Sequence, residues 1–308
     1  MTARRLPAHI AAALAGRQDG SDGGNTADSA GRPWAGRDLS GPDNPLHAFD
    51  DDDGSADPGL VAAVAGLLGG PAATEGPVDQ PGPGERRVLA ALATARVFIP
   101  IVAQLTVTGE AEGAAGSAAP QGALHSDKEA DMALVTLTAP DGRKALPVFS
   151  STGALERWHP EARPVAAYAS RAALAAAADG AELLVLDPGA ALTVVVRRPA
   201  VWALAQQVAW TPSYEDPALV TLVETAAAGQ EEILSVALRP AAGVLSRAAD
   251  GSIASGGGPG PELRMDVRLR PGLPAEGVRE AVTALRSTLL GLPDFVERVD
   301  SLDIKLMG

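Results

Sequence analysis

Three features of the sequence predict an α/β (α+β) protein: a mixed-sheet domain flanked by helices, then a smaller α-β-β-α-β domain. The first is a β-hairpin signal, in which the alternating segments MALVTLTA and RKALPVFSS flank Pro140-Asp141-Gly142. The second is the succession of apolar strands and Ala-rich helices that follows, RPVAAYA, SRAALAAAAD, ELLVLD, LTVVVRRP and AVWALAQQV. Strands alternating with helices call for a sheet covered by helices. The third is a fresh run of elements after WTPSYEDP, with no internal repeat between the two units. The predicted division is a disordered acidic tail over residues 1–56, an α/β domain over 57–210 and a smaller α+β domain over 211–308.

The elements follow in order. Residues 1–56 offer Gly, Asp, Ser and Pro with scattered apolar side chains, too few to offset an ordering cost of about 1–2 kcal/mol per residue. The first helix is DPGLVAAVAGLLGG, with Asp57 as N-cap, Pro58 in the first turn and Gly69-Gly70 as the stop. A Pro/Gly linker over residues 70–84 leads to a second helix, ERRVLAALATAR, with Val88, Leu89 and Leu92 on one face. The strand VFIPIVAQLTVTG contains Pro100, which predicts a sheet edge or a bulge there. A Gly/Ala loop (109–124) precedes the hairpin, and a short helix around ALERW follows it. Gly180 ends the SRAALAAAAD helix, and Asp187-Pro188-Gly189 turns the chain between two strands. WTPSYEDP, residues 210–217, reads as a hinge. Beyond it come a helix over 217–228, the strand EILSVALRP, a loop with SGGGPGP, the strand ELRMDVRLRP, the helix AEGVREAVTALRSTLLG and a last strand VDSLDIKLM.

Composition excludes several functions. The 308 residues carry 25 Lys plus Arg against 38 Asp plus Glu, a net charge of −13. Such a chain has no electrostatic reason to approach nucleic acid or an anionic membrane, so neither is expected as a partner. With no cysteine there is no disulfide, thiolate metal site or cysteine nucleophile. The opening MTARRLPAHIAAALAG has an interrupted, Ala-based apolar run, which reads as cytoplasmic rather than secreted.

Candidate chemistry is sparse. The acidic run at 50–53 fails the EF-hand template, because Phe49 and Leu60 occupy its first and last ligand positions. His9, His47, His125 and His159 have no partner at helical spacing, and no G-x-S-x-G elbow occurs. SGGGPGP and GPGERR match no phosphate or dinucleotide loop and read as connections. In SDKEADMAL, Asp127, Glu129 and Asp131 form a polar cluster before a buried strand, for which a turn-and-cap role outweighs metal or acid–base chemistry. Arg197-Arg198-Pro199 sits where a strand hands over to a helix, a place where an anion could bind with Asp187 or Lys144 assisting. A salt bridge to the protein's own acids is the competing reading of those arginines. No catalytic residue, metal or cofactor is assigned.

The segments FDDDDGSADPGLVAAVAGL, VLAALATARVFIPIVAQL, DKEADMALVTLTAPDGRKALPVFSSTGALERW and ELLVLDPGAALTVVVRRPAVWALAQ together resemble the SseB family of actinobacteria. The resemblance covers roughly residues 53–217, and the carboxy-terminal unit resembles the second domain of longer members. It implies a cytosolic protein of unassigned activity, in a family named for a serine-sensitivity trait, with no catalytic residues to carry over. The function expected is a non-enzymatic protein–protein interaction module. The alternative is a regulatory binder of a small amino-acid-like metabolite at Arg197, Arg198, Asp187 and Lys144. A carboxylate enzyme using Asp127, Glu129 and Asp131 ranks third.

Overall fold

The computed structural model describes residues 49–69, 84–105 and 130–307. Helix α1 (Pro58–Leu68) starts as the sequence predicts: the Asp57 carboxylate accepts the Leu60 N–H at 2.8 Å, Pro58 fills the first turn, and Leu60 and Leu67 are buried two turns apart. Helix α2 (Gly84–Thr94) buries Val88, Leu89 and Leu92 beside it. Strand β1 (Arg96–Leu105) is the middle strand of a three-stranded antiparallel sheet, between β2 (Ala130–Leu134) and β5 (Arg163–Tyr168). The edge expected from Pro100 is therefore not where the strand lies. Pro100 faces Pro164 across the ladder, and its carbonyl takes the Val135 N–H at 3.4 Å just past the end of the β2 pairing. A missing N–H costs little at that point.

A second difference concerns the hairpin. MALVTLTA is not one strand: its first part is in β2, while β3 (Leu137–Thr138) pairs with β4 (Lys144–Val148) in another sheet. That sheet has the order β3-β4-β6-β7, with β6 (Leu183–Leu186) parallel to β4 and β7 (Val194–Val196) antiparallel to β6. Reciprocal backbone hydrogen bonds between Phe98 and Phe149 join the two sheets. Helix α3 (Thr152–Trp158), capped by the Ser151 hydroxyl, covers this junction with Leu155. Helix α4 (Ala169–Ala178) packs against α5 (Arg198–Gln206), with Ala177 against Trp202, and buries Ala172, Ala173 and Ala176 in the core.

The second unit consists of α6 (Pro217–Ala228), β8 (Ile233–Pro240), β11 (Leu263–Leu269), α7 (Ala275–Leu290), α8 (Pro293–Arg298) and β12 (Leu302–Met307). Its sheet order is β12-β11-β8, with β12 parallel and β8 antiparallel to β11, the pairing across a long loop that the sequence predicts. Leu263, Met265 and Val267 face a core closed by Leu219, Val223, Leu285, Leu289 and Phe295. Alternate residues of all three strands face the other way.

The long loop does not stay with its own unit. It forms the small hairpin β9 (Ser246–Arg247) and β10 (Ile253–Ala254), and it buries Ala248 and Ala254 in the core of the first unit. Backbone bonds fasten it there: Ser255 N–H to Leu67 O, Ala249 N–H to Ala191 O and Val195 N–H to Gly257 O. Residues 49–56, which the sequence groups with the tail, also make specific contacts. The Phe49 ring packs against that of Tyr168 at a tilt of 58°, and Asp52 accepts two guanidinium bonds from Arg96. Among the described residues no helix is long and apolar enough to cross a membrane.

Candidate site between the two units

The four residues picked out for an anion go to three places. Lys144, at the start of β4, pairs with Asp179 at the end of α4. Asp187 adopts a positive φ of 50° in its turn, and its carboxylate accepts the Ser150 N–H at 2.7 Å. Arg197 and Arg198 end up fully buried where the two units meet. Asp127 and Glu129 lie outside the described residues, and Asp131 is placed only by its backbone, in β2 opposite Gln104. No group of three His, Asp or Glu side chains that could hold a metal ion occurs among the described residues.

Arg197 lies at the end of β7, whose backbone aims its side chain at the first turn of α2. There Glu85 Oε1 accepts from both terminal nitrogens, at 2.6 and 3.1 Å. Glu85 also accepts the Gly257 N–H at 2.8 Å and the Tyr214 hydroxyl at 2.9 Å. One carboxylate thus gathers a strand end, the folded-back loop and the segment read as a hinge. Burial opposes the charge of Arg197, but Glu85 and then Glu262 outweigh it and hold its pKa above the usual value. Burial and the Glu85 carboxylate push the Tyr214 hydroxyl up, so it stays protonated.

A second layer lies behind the first. Glu262, at the start of β11, is 1% exposed, accepts the Asp300 N–H at 2.7 Å and stands 3.9 Å from Arg197. Burial pushes its carboxyl up to about 7, with Arg197 opposing the rise. Asp300 receives Arg143 Nη1 on both carboxylate oxygens at 2.8 Å. Arg143 follows the Pro140-Asp141-Gly142 turn, so the clearest hairpin of the sequence also clamps the second unit. Arg198 donates to the carbonyls of Val296 and Val299 at the carboxy end of α8, where a cation is favoured, and its guanidinium lies 5.0 Å from the Trp202 ring.

This seam leaves little room inside. The cavity beside Glu85 and Arg197, walled by Leu67, Val88 and Trp210, measures about 20 Å³, space for one water molecule. Outside the seam, α5 and α8 diverge and leave an open groove of about 360 Å³. Trp202, Val208 and Trp210 form one side of it, and Asp216, Glu297 and Arg298 the other. Asp216 is held by its N-cap bond to Ala218 N–H and by Arg298 at 2.6 Å. The same bond to Asp216 keeps the Arg298 guanidinium above its usual pKa.

Sequence reading missed Glu85, Glu262, Asp300 and Arg143. Each partner lies far along the chain, 112 residues in the case of Glu85 and Arg197, so no local spacing marks the pair. The one usable signal was charge itself, because two adjacent arginines at a strand end in an acidic chain need acids nearby. No curated protein and no solved structure matches the chain. The model of the SseB protein N-terminal domain matches residues 79–203. Glu85, Arg143, Arg197 and Arg198 all fall inside that match, and the groups they hold in α8, Tyr214, Gly257 and Asp300 fall beyond it. Over residues 79–203 the chain is similar to the SseB protein N-terminal domain.

Proposed function

We propose that this chain is a cytosolic, non-enzymatic protein–protein interaction module that docks a partner in the groove between its units. The observation that carries the reading is the groove itself. It is an open cleft of about 360 Å³ in which Val208, 55% exposed, and the half-buried Trp210 lie over the buried Trp202 and opposite a charged wall. Aromatic anchors beside an apolar floor and a polar rim are the usual anatomy of a binding surface. The buried seam supports this role because it sets the spacing of the two walls before any partner arrives.

A second reading is favoured by the groove's size. Its volume is within the range of small-molecule pockets, and Arg298 and Glu297 offer opposite charges to the two ends of an amino-acid-like metabolite. In that reading Arg198, stacked on Trp202, underlies the ligand's wall, whereas Asp187 and Lys144 are remote from it.

One comparison separates the two. Tagged wild-type chain and the Val208→Glu variant are purified from native cytosol, and co-purifying proteins are quantified by mass spectrometry. A stoichiometric partner retained by the wild type and reduced at least ~10-fold by Val208→Glu is the expected result. A partner bound equally by both would refute groove docking. A solitary protein whose melting temperature rises with free amino acids, and no longer does in Arg298→Glu, would establish the metabolite reading instead.

A further inference from the structure

The sheet of the second unit has a face that its helices do not cover. Register places Arg239, Arg264, Arg268 and Lys305 on it, together with Asp266 and Asp303. Ser235, Ala237 and Met307 occupy its remaining positions. The opposite face, with Leu263, Met265 and Val267, is the core.

Four cations against two carboxylates make this face positive in a chain whose net charge is −13. The central acid is already engaged: Asp266 lies 3.2 Å from Arg239 Nε and 3.0 Å from Arg264 Nε. Arg268 and Lys305 remain exposed on neighbouring strands. Concentrating cations on one flat surface of an acidic protein creates a local field of opposite sign to its surroundings, which steers and orients an acidic partner.

We infer that this outward sheet face docks an acidic segment of a partner protein. A peptide fits better than a nucleic acid. None of the nine positions is aromatic, so the face offers no platform for base stacking, and the charge of the whole chain repels a long polyanion. The surface is distinct from the groove, and the inference stands or falls separately from groove docking.

The test uses the full chain and a fluorescein-labelled Glu/Ser-rich peptide, with binding read by fluorescence anisotropy at low salt. Saturable binding is expected, weakening as salt is raised because the charges are solvent-exposed. The double variant Arg268→Glu/Lys305→Glu should bind roughly tenfold more weakly or worse, and Arg268→Gln/Lys305→Gln should show a smaller loss with an unchanged melting temperature. Arg279→Glu, an exposed reversal on α7, should leave binding unchanged. Absence of saturable binding to the wild type, equal loss in Arg279→Glu, or equal affinity in the double variants would overturn the inference. So would tighter binding of a single-stranded oligonucleotide than of the peptide.

Discussion

Glu262 is a carboxyl group buried among charged neighbours, and its raised pKa of about 7 against an ordinary 4.5 ties the seam to pH. A carboxyl that binds its proton more tightly folded than unfolded adds stability that is full below about 4.5 and is lost as pH rises through about 7. The wild type should therefore lose melting temperature between those two values through this group. An acidic chain carries other pH-dependent terms, so the comparison that isolates Glu262 is with Glu262→Gln, whose amide oxygen can still accept the Asp300 N–H. Thermal melts across that window should show a visibly flatter slope for the variant, by a few degrees in total. Parallel slopes would mean that Glu262 is ionised throughout. Of this cluster, the sequence displayed Arg197 and Arg198 at a strand end but not their partners. An arginine's local pattern shows that it needs an acid and says nothing of which acid the fold delivers.

At the scale of elements, local chemistry carried the reading far. The Asp57 cap, the alanine-lined face of α4 and the Pro140-Asp141-Gly142 turn depend on neighbours within one or two turns, and such elements were legible. The division of residues 130–138 between two sheets was not, because alternation marks a strand without saying which strand it joins. SGGGPGP shows the same limit. Its glycines read as connection, yet they let the loop lie against the first unit. A Cβ on Gly258 would stand 2.3 Å from the carbonyl oxygens of Gly243 and Leu245, whereas one on Gly251, at the β9–β10 turn with φ 88°, would meet nothing within 4 Å. Gly251→Ala should cost only backbone strain, about 1 kcal/mol, and Gly258→Ala about 3 kcal/mol or more, as read by urea denaturation. Equal losses would show that the close approach is not maintained in solution.

Across the whole molecule, the α/β class predicted by the sequence is present, and the pairing of two strands across the long loop was anticipated, though not the parallel place of β12 beside them. The dependence of the two units on each other was not, since it rests on contacts between residues far apart in the chain. The family match ends at residue 203, before the loop that contributes Ala248 and Ala254 to the first core. Arg143 and Arg198 then bind Asp300 and the carbonyls of Val296 and Val299 in the second unit, while Arg197, held by Glu85 of the first, stands 3.9 Å from Glu262. On this coupling the two units form one body with a preformed groove, rather than two domains on a hinge. Differential scanning calorimetry of the intact chain tests it most directly. A single transition with calorimetric and van't Hoff enthalpies in agreement is predicted, shifting as a whole to lower temperature in Arg143→Ala. Two resolved transitions, with only one of them moved by Arg143→Ala, would contradict it.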